Sequence, residues 1–599
     1  MSDKQRIGAV REINGPIVTI DLPGIKSGEQ VKIGKLGLVG EVISLANQRA
    51  VVQTYENTEG VRPREPAIGL GWPLSVELGP GLMGGIFDGV QRPLEQIALQ
   101  SGDYIRRGLS LPALDRTRQW EFEPNRDLSI GQQVGVGSVL GTVQETQTIL
   151  HKIMVPPGIE GELLELAPRG DYNIEAAIAQ VRDRSGEQHR LALYHRWPVR
   201  KPRPYQRRDD GISPLITGQR VIDTFFPQIK GGKGAVPGPF GAGKTVVQQQ
   251  IARWSNADIV VYVGCGERGN ELVDVLETFP KLEDPYTGRK LMERTLLVAN
   301  TSNMPVVARE ASIYVGLSMA EYYRDMGYDV VMLADSTSRW AEALREVSGR
   351  LGQMPVEEGY PAYLASRIAA FYERAGRVET LAGNTGSVTL IGAVSPPGGD
   401  FSEPVTSHTK ENVQVFWALS KELADARHYP AVDWNESFSG YVTEAARWWA
   451  QEVDADWEAA RSKAMALLAE DRELSRIVNL VGPEALSSAQ RWTLQAATLI
   501  REGLLQQNAL DPVDSFCSPQ KQYALLALML EIHREGTRLL ARGVPVQRLL
   551  AMPLLAQALR LKHTYSSDQL AELLEFGNEI RSALAPLHAE YGPPVEDPP

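Results

Sequence analysis

Hydrophobic and polar residues alternate along the first part of the chain. The segments GAVREINGPIVTIDLPG and ISLANQRAVVQTYENTEG change between apolar and polar at most steps, and Gly and Pro interrupt them. A period of two residues is typical of half-buried β-strands, and the turn residues mark where short strands end. Residues 1–74 are therefore predicted to form a small β-barrel.

A second β-rich region follows the predicted barrel. Residues 75–118 are Gly-rich at first and are predicted to begin the next domain. Beyond them, SIGQQVGVGSVLGTVQET and IMVPPGIEGELLELAPRGDYNIEAAIAQV contain short β runs separated by glycines. These runs predict that residues 119–195 form an inserted β module.

The basic, Pro-rich segment HRWPVRKPRPYQRRDD, residues 195–210, has two interpretations. It could bind phosphate or nucleic acid. However, prolines break any helix that could present the charges together. A solvated connector is the favoured interpretation.

Strand and helix patterns alternate over residues 196–440, the main part of the predicted second domain. KTVVQQQIARW and PVVAREASIYVGLSMAEYYRDM have the spacing of helices. The short apolar runs between the helical segments are GAVPG, IVVYVG, TLLVAN, DVVMLAD and VTLIGAV. Such alternation predicts a parallel sheet covered by helices.

The last quarter of the chain has a helical pattern. In residues 441–590, Leu, Ala, Glu and Arg dominate and apolar residues recur at helical spacing, as in YALLALMLEIHREGTRLLARG. This region is predicted to be a helical domain, followed by a disordered tail at 591–599.

Length, charge and cysteine content narrow the possible classes of protein. A chain of 599 residues is too long for one core, and its net charge of -12 argues against a general nucleic-acid binder. Cys265 and Cys517 are its only cysteines, which favours a reducing compartment over a disulfide framework. The start MSDKQRIGAV lacks the apolar core of a signal peptide, and no apolar run reaches the roughly 18 residues of a membrane span. We expect a soluble protein, which can still dock on a membrane complex.

The segment GPFGAGKT, Gly238–Thr245, has the spacing G-x-x-x-x-G-K-T between a predicted strand and a predicted helix. Glycines allow backbone N–H groups to surround phosphates, and the helix points its positive end at them. Lys244 is expected to contact the β- and γ-phosphates, and the Thr245 hydroxyl to bind Mg²⁺. A plain Gly-rich turn is the alternative.

Two more strands end in polar residues at the same predicted edge. DVVMLAD ends in Asp335, a candidate carboxylate for the magnesium shell, although such a residue can also cap a helix. IVVYVGCGERGNE places Glu267 and Arg268 after another strand. Glu267 could polarise an attacking water and Arg268 could hold Glu267 or a phosphate oxygen, whereas the alternative is a surface ion pair. Cys265 is interpreted as a packing residue.

Several segments together resemble one known family. VGCGERGNE and PAVDWNESFS match its segments, and the latter fits a signature of rotary ATPase nucleotide-binding subunits. The other matching segments, in family order, are GPFGAGKTV, ADSTSRWAEALRE, SPPGGDFSEPV and QQNALDPVDSFCS. The chain resembles, over nearly its whole length, the catalytic A subunits of V-type and archaeal-type rotary ATPases. Pro239 and Ala242 in the loop resemble the bacterial and archaeal version.

The resemblance implies a fold and an assembly. The fold would be an N-terminal β-barrel, a RecA-like α/β domain with an inserted β-rich bulge, and a C-terminal helical domain. Copies of this chain would alternate with B subunits in a ring, joined by central and peripheral stalks to a membrane rotor and stator. The ring would hydrolyse or synthesise Mg-ATP, coupled to H⁺ or Na⁺ transport, at the cytoplasmic face of the membrane and without nucleic acid.

The resemblance also implies the site residues. Glu267 would be the catalytic carboxylate, acting with Lys244 and Arg268, while Thr245 and Asp335 hold Mg²⁺. Arg339 would lie near the γ-phosphate, and the arginine finger would come from the B subunit. Leu510 and Tyr429 stand where relatives often have other bulky or aromatic residues. The residues expected to contact the nucleotide are Gly238, Pro239, Phe240, Gly241, Ala242, Gly243, Lys244, Thr245, Val246, Arg339, Tyr429, Gln506, Asn508, Ala509 and Leu510; of these, Phe240, Tyr429 and 506–510 would form the adenine pocket.

Three other interpretations share parts of these patterns. An RNA translocase of the Rho-like type also combines a small barrel with a phosphate loop, but the insertion and the acidic charge disfavour it. A non-hydrolysing ring subunit would lack the loop or the carboxylate that Lys244, Thr245 and Glu267 supply. A secretion-system ATPase is usually shorter and lacks the inserted module.

Overall fold

The computed structural model of the protein describes residues 6–46, 49–102 and 105–592. Most of the predicted disordered tail, from residue 593 on, lies outside the described residues, and Tyr591 ends the last helix. Within the described ranges, no helix combines the length and apolar character needed to cross a bilayer.

The N-terminal strands form a closed barrel with its own apolar core. Its members are β1 (Arg6–Asn14), β2 (Ile17–Asp21), β3 (Glu29–Ile33), β4 (Leu38–Ala46), β5 (Arg49–Thr54) and β6 (Pro66–Pro73). They close in the order β1-β2-β5-β4-β3-β6. Alternate residues such as Val18 and Ile20 are fully buried, as the two-residue period requires.

The inserted β module consists of two four-stranded antiparallel sheets. It follows β7 (Ser75–Leu78), β8 (Ile86–Phe87) and α1 (Leu94–Ser101). Its strands are β9 (Trp120–Pro124), β10 (Gln133–Val134), β11 (Val139–Gln144), β12 (Leu150–Met154), β13 (Gly161–Leu166), β14 (Gly170–Tyr172), β15 (Ala177–Asp183) and β16 (Gln188–Ala192). The sheets run β12-β11-β9-β14 and β10-β13-β15-β16. The next strand, β17 (His195–Pro198), leaves the module and pairs with β7.

The connector at 195–210 differs from the sequence-based interpretation. Trp197, Val199 and Arg203 are buried, with Arg203 only 3% exposed. Arg203 forms a 2.6 Å ion pair with Asp325, and the Arg203 backbone N–H donates to Glu321. Most of residues 201–210 are exposed, as a solvated connector requires. The prediction is wrong for the three buried residues, because Arg203 pairs with carboxylates on a helix more than a hundred residues away.

The central domain is a largely parallel sheet with helices on both faces. Its first elements are β18 (Arg207–Arg208), β19 (Pro214–Leu215), β20 (Gln228–Ile229), β21 (Lys233–Pro237), α2 (Lys244–Trp254), β22 (Ile259–Glu267), α3 (Gly269–Thr278), β23 (Thr295–Thr301), α4 (Val306–Asp325) and β24 (Asp329–Asp335). The remaining elements are α5 (Thr337–Arg350), α6 (Leu364–Tyr372), β25 (Gly376–Glu379), β26 (Thr385–Val394), α7 (Pro404–Asn412), β27 (Val415–Phe416), α8 (Lys421–Asp425) and β28 (Phe438–Ser439).

The order of strands in this sheet brings the candidate residues to one edge. The main path is β28-β27-β21-β26-β24-β22-β23-β8, and the neighbours from β27 to β8 are parallel. All five apolar runs predicted as buried strands lie in this sheet, as β21, β22, β23, β24 and β26. Their carboxyl ends therefore meet at one edge, where open α/β sheets bind ligands.

The C-terminal region is helical. Its helices are α9 (Val442–Glu452), α10 (Trp457–Val481), α11 (Ser488–Thr498), α12 (Pro519–Ala541), α13 (Val546–Leu550), α14 (Pro553–Thr564) and α15 (Leu570–Tyr591). After α11, residues Leu499–Leu505 continue as a π-helical segment. The apolar faces of these helices pack into a core that is continuous with one face of the central sheet.

The architecture confirms the predicted fold class: a β-barrel, an α/β domain with an inserted β-rich module, and a helical domain. The predicted start of the insertion at 119 is adjacent to Trp120, the first residue of β9. The domain boundaries at 74, 118, 195 and 440 stay predictions.

Candidate functional site

The predicted phosphate loop connects the end of β21 to the start of α2. Gly241 and Gly243 have φ angles of +81° and +93°, which residues with a side chain rarely adopt. The Lys244 ammonium donates to the carbonyl oxygens of Gly238 at 2.8 Å and Pro239 at 3.0 Å. Two carbonyl groups of the loop thus hold the lysine, and α2 begins at the same residue. This geometry suits a chain of phosphates.

Thr245 and Asp335 meet across the sheet edge. The Thr245 hydroxyl donates to Asp335 Oδ2 at 2.8 Å, although the two residues are 90 positions apart. Asp335 is only 2% exposed, and burial raises the pKa of its carboxyl, while bonds from Thr245 and Tyr262 oppose that rise. A hydroxyl and a carboxylate side by side offer hard oxygen ligands, the kind that Mg²⁺ prefers. The residues present therefore fit a magnesium ion.

Glu267 is the last residue of β22, beside the strand that carries Asp335. Burial, followed by the nearby charge of Asp335, raises the pKa of Glu267 to about 7. Gly266 just before it has a φ of +71°, and a Cβ there would lie 2.6 Å from Arg309 Cδ. The backbone conformation and the close contact at this position therefore require glycine. A carboxyl group with a pKa near neutrality at a ligand-binding edge is suited to proton transfer.

Arg268 follows Glu267 and caps the start of α3. Its guanidinium lies over the ring of Phe240, 4.4 Å from the centroid. The predicted pairing of Arg268 with Glu267 is not among the ion pairs of the described residues. Arg268 is instead held against the tip of the phosphate loop.

Arg339 lies on α5 and donates to both carboxylate oxygens of Glu342 at 2.9 Å. Its charge still acts on the site, because it lowers the pKa of Glu267 against the larger effect of burial. Arg339 thus lies near Glu267, but its guanidinium is hydrogen-bonded to Glu342 on the same helix.

A cavity of about 610 Å³ adjoins the start of α2. It brings together the predicted residues Val246, Tyr429, Gln506, Asn508, Ala509 and Leu510. Phe240 is not among its lining residues. Leu510 is 92% exposed and Tyr429 is 42% exposed, so apolar side chains border an open space. This cavity, next to the phosphate loop, has the place and character of a nucleoside pocket.

Two basic residues that the sequence analysis did not single out hold the 506–514 segment of this cavity: Lys562 lines the cavity, and Arg220 lies behind it. Lys562 of α14 is 4% exposed and donates to the Gln506 carbonyl oxygen at 2.9 Å. Arg220 is fully buried, forms a 2.6 Å ion pair with Asp514, and donates to the same carbonyl at 2.8 Å. These contacts join residues that lie tens to hundreds of positions apart. No motif identified in the sequence includes Lys562 or Arg220.

The two cysteines are buried packing residues. The Cys265 thiol donates to the Arg309 carbonyl oxygen at 3.3 Å, and burial raises its pKa to about 12. Burial also raises the pKa of Cys517. Neither thiol is therefore activated as a nucleophile.

Comparisons with protein-family models cover most of the chain. Residues 218–439 match the ATP synthase alpha/beta family nucleotide-binding domain, and residues 10–71 match the beta-barrel domain of that family. Residues 111–200 match the barrel-sandwich domain of ATP synthase alpha/beta subunits. Residues 446–548 match the C-terminal domain of V and A type ATP synthase.

Curated relatives match over nearly the full length. A V-type ATP synthase alpha chain from Nitrosococcus oceani is 66% identical over 98% of this chain and 100% of its own length. The corresponding A-type ATP synthase protein from Methanopyrus kandleri is 55% identical over 96% of this chain and 97% of its own. Among solved structures, the ATPase EscN of the type III secretion system of enteropathogenic E. coli has a TM-score of 0.60. It covers 87% of this chain and 100% of its own, and because it is 21% identical it supports the fold alone.

Proposed function

This chain belongs to the family of alpha chains, or A subunits, of V-type and A-type ATP synthases, and from that premise we propose that it is the component in which Mg-ATP is hydrolysed or synthesised. As a member of that family it is part of a multi-subunit, membrane-associated ATP synthase complex. Its finer partners are proposed to be B subunits alternating with it in a ring, a central and a peripheral stalk, and a membrane sector that moves H⁺ or Na⁺. The proposed location is the cytoplasmic face of the membrane.

One observation carries the proposal. The Thr245 hydroxyl and the Asp335 carboxylate are 2.8 Å apart, on the same sheet edge as Lys244 and Glu267. Phosphoryl transfer needs these parts: a cradle for phosphates, hard oxygen ligands for a metal, and a carboxylate that orients water. Their convergence at the carboxyl ends of β21, β22 and β24 supports a nucleotide-hydrolysing site.

Each side chain has a proposed task. Lys244 releases the carbonyl oxygens of Gly238 and Pro239 and turns its charge to the β- and γ-phosphate oxygens. Thr245 and Asp335 hold Mg²⁺, which supplies positive charge to the phosphate oxygens when bound. Glu267 accepts a hydrogen bond from the attacking water and takes up its proton as the bond from the water oxygen to the γ-phosphorus forms. The bond from that phosphorus to the bridging oxygen breaks at the same time, and the oxygen leaves with ADP. Val246, Tyr429 and the 506–510 segment enclose the nucleoside.

Arg268 and Arg339 also have proposed roles. Arg268 and Arg339 lie near the edge, but Phe240 and Glu342 hold their guanidinium groups. We assign the arginine that neutralises transition-state charge to the B subunit, in trans. Arg268 and Arg339 would then tune the charge around Glu267 and the phosphates.

The central test is Glu267→Gln in the reconstituted complex. Mg-ATP binding should stay nearly unchanged, because the amide keeps the shape of the carboxyl. Hydrolysis should slow by about 10²–10⁴-fold, the usual cost of removing a positioned base. Binding is measured by nucleotide titration and turnover by phosphate release.

Glu452→Gln, at the exposed end of α9, is the matched control and should leave both quantities unchanged. Near-normal turnover of the Glu267 variant would overturn its assignment. ATP-driven transport in vesicles, with Na⁺ and H⁺ exchanged, tests the coupling. Stimulation of hydrolysis by RNA instead of coupling to ion flux would favour a translocase.

A further inference from the structure

Tyr262 is a buried tyrosine of β22 whose hydroxyl reaches the candidate metal carboxylate. The residue is 2% exposed, and its ring meets Phe279 edge-on at a centroid distance of 5.8 Å. Its hydroxyl lies 3.1 Å from Asp335 Oδ2, to which it donates. Asp335 Oδ2 is the same oxygen that accepts the 2.8 Å bond from Thr245.

Strand register explains how this contact arises. In the parallel pair of β22 and β24, Tyr262 lies opposite Leu333, and Gly264 lies opposite Asp335. Tyr262 and Gly264 are two residues apart and share a face of the sheet. Because Gly264 has no side chain, nothing on β22 stands between the tyrosine hydroxyl and the carboxylate one step further along.

Packing of the core does not by itself require the Tyr262 hydroxyl. A phenylalanine ring would make the same contact with Phe279, without a polar atom that must find a partner when buried. The bond goes to Asp335 Oδ2, while Oδ1 accepts no hydrogen bond from the side chains and backbone of the described residues. One carboxylate oxygen is therefore held by two donors and the other is left for a ligand.

We propose that Tyr262 is a positioning residue for the magnesium site: its hydroxyl fixes the rotation of the Asp335 carboxylate so that Oδ1 is presented to the metal shell. This inference rests on the proposed function. Thr245 is itself a proposed metal ligand in the first turn after the phosphate loop, whereas Tyr262 is anchored on a central strand. Tyr262 therefore keeps the carboxylate in place in both the empty and the filled site.

The experiment separates metal binding from nucleotide binding in the reconstituted complex. Wild type and Tyr262→Phe are titrated with ATP in EDTA, and then with MgCl₂ at fixed ATP. We expect equal ATP affinity in EDTA. The Mg²⁺ concentration that gives half-maximal binding should rise about tenfold, the usual effect of losing one hydrogen bond to a charged group.

Tyr372→Phe is the matched control. Tyr372 is also buried in the central domain, but its hydroxyl has no hydrogen-bond partner among the described residues. Its removal should leave the Mg²⁺ titration unchanged. A thermal unfolding scan of both variants, with EDTA present, checks that the fold is retained.

The outcomes are distinct. If Tyr262→Phe loses affinity equally in EDTA and in Mg²⁺, or unfolds at a much lower temperature, the hydroxyl serves packing and the proposal is overturned. A Mg²⁺ titration that coincides with that of wild type also overturns it. If wild type itself shows no Mg²⁺-dependent nucleotide binding, the proposed function fails and this inference fails with it.

Discussion

Phe240 stands at the tip of the phosphate loop with 71% of its surface exposed. An aromatic ring there could face the nucleoside or an arginine, and in this structure it faces the Arg268 guanidinium at 4.4 Å. A cation–π contact at an exposed site contributes about 0.5–1 kcal/mol, a modest stabilisation. Tyr429, in contrast, lines the cavity beside the phosphate loop, the proposed nucleoside pocket, together with Val246. The two aromatic residues should therefore affect binding differently.

Two alanine variants test this difference. Tyr429→Ala should weaken ATP binding by about tenfold or less, because stacking of a base is worth about 1–3 kcal/mol and this ring is half-exposed. It should leave the binding of tripolyphosphate unchanged, since that ligand has no base. Phe240→Ala should change the affinities for ATP and tripolyphosphate by the same small factor. Competition titrations in Mg²⁺ give both affinities.

A loss in the Phe240 variant that is specific for ATP would place Phe240 on the base, as the resemblance implied. The contact with Arg268 would then belong to the empty site only. If the Tyr429 variant loses affinity for tripolyphosphate as well, its effect is on the loop and not on the nucleoside.

Among single residues, the sequence could predict candidates only where a residue belongs to a local pattern. Lys244 and Thr245 follow from the spacing of glycines, and Asp335 from its place at the end of an apolar strand. No local pattern marks Tyr262, because Asp335, which its hydroxyl contacts, is 73 residues away in the chain. The role of a buried tyrosine is decided by what its hydroxyl meets, and that depends on strand order.

Helix α14 of the C-terminal domain contributes Lys562 to the lining of the proposed nucleoside pocket. Burial, followed by the charge of Arg220, lowers the pKa of Lys562 to about 8 from an ordinary value of 10.5. Its ammonium donates to the carbonyl oxygen of Glu502 within the π-helical segment and to that of Gln506 just after it. The lysine thus connects one helix to the segment that borders the pocket.

This pKa predicts how stability changes with pH. Between pH 8 and 10.5 the unfolded chain still holds the Lys562 proton while the folded chain has released it. The unfolded state then binds more protons, so the free energy of unfolding rises with pH in this window. The full contribution is on the order of 3 kcal/mol. The Lys562→Met variant should lack this contribution. The free energy of unfolding of wild type should therefore rise relative to that of the variant from pH 7 to pH 10.

Urea unfolding followed by tryptophan fluorescence measures the difference. Lys463→Met, at an exposed position of α10, is the control and should run parallel to wild type at every pH. Parallel profiles for wild type and Lys562→Met would mean that the buried amine keeps its ordinary pKa.

At the level of elements, periodicity predicted the central sheet because five apolar runs are separated by helical segments. It could not predict the packing of the 195–210 connector. Arg203 there pairs with Asp325, and Arg374 from a third segment pairs with Glu321 on the same helix. Sequence alone predicts that a basic, Pro-rich stretch is solvated, because it does not show that the carboxylates of α4 lie beside it.

In the whole molecule, the candidate site lies open at one edge of the single chain. Phe240, Val246 and Leu510 are apolar and exposed there, by 71%, 48% and 92%. Exposed apolar residues grouped around a polar cleft are typical of a surface that another protein covers. Glu267 and the proposed metal ligands come from this chain, but the two nearby arginines are engaged by Phe240 and Glu342.

The isolated chain should therefore bind Mg-ATP and hydrolyse it slowly. Adding the B subunit should raise turnover by about 10³–10⁵-fold, the range that an arginine supplied in trans contributes. Phosphate release is measured for the chain alone and after titration with its partner, at saturating ATP. An Arg339→Ala variant separates the two sources of positive charge: if Arg339 is the finger, this change removes the stimulation, whereas a finger in trans leaves most of it. Full activity of the purified single chain would contradict the trans model, because every group needed for turnover would then lie on this one polypeptide.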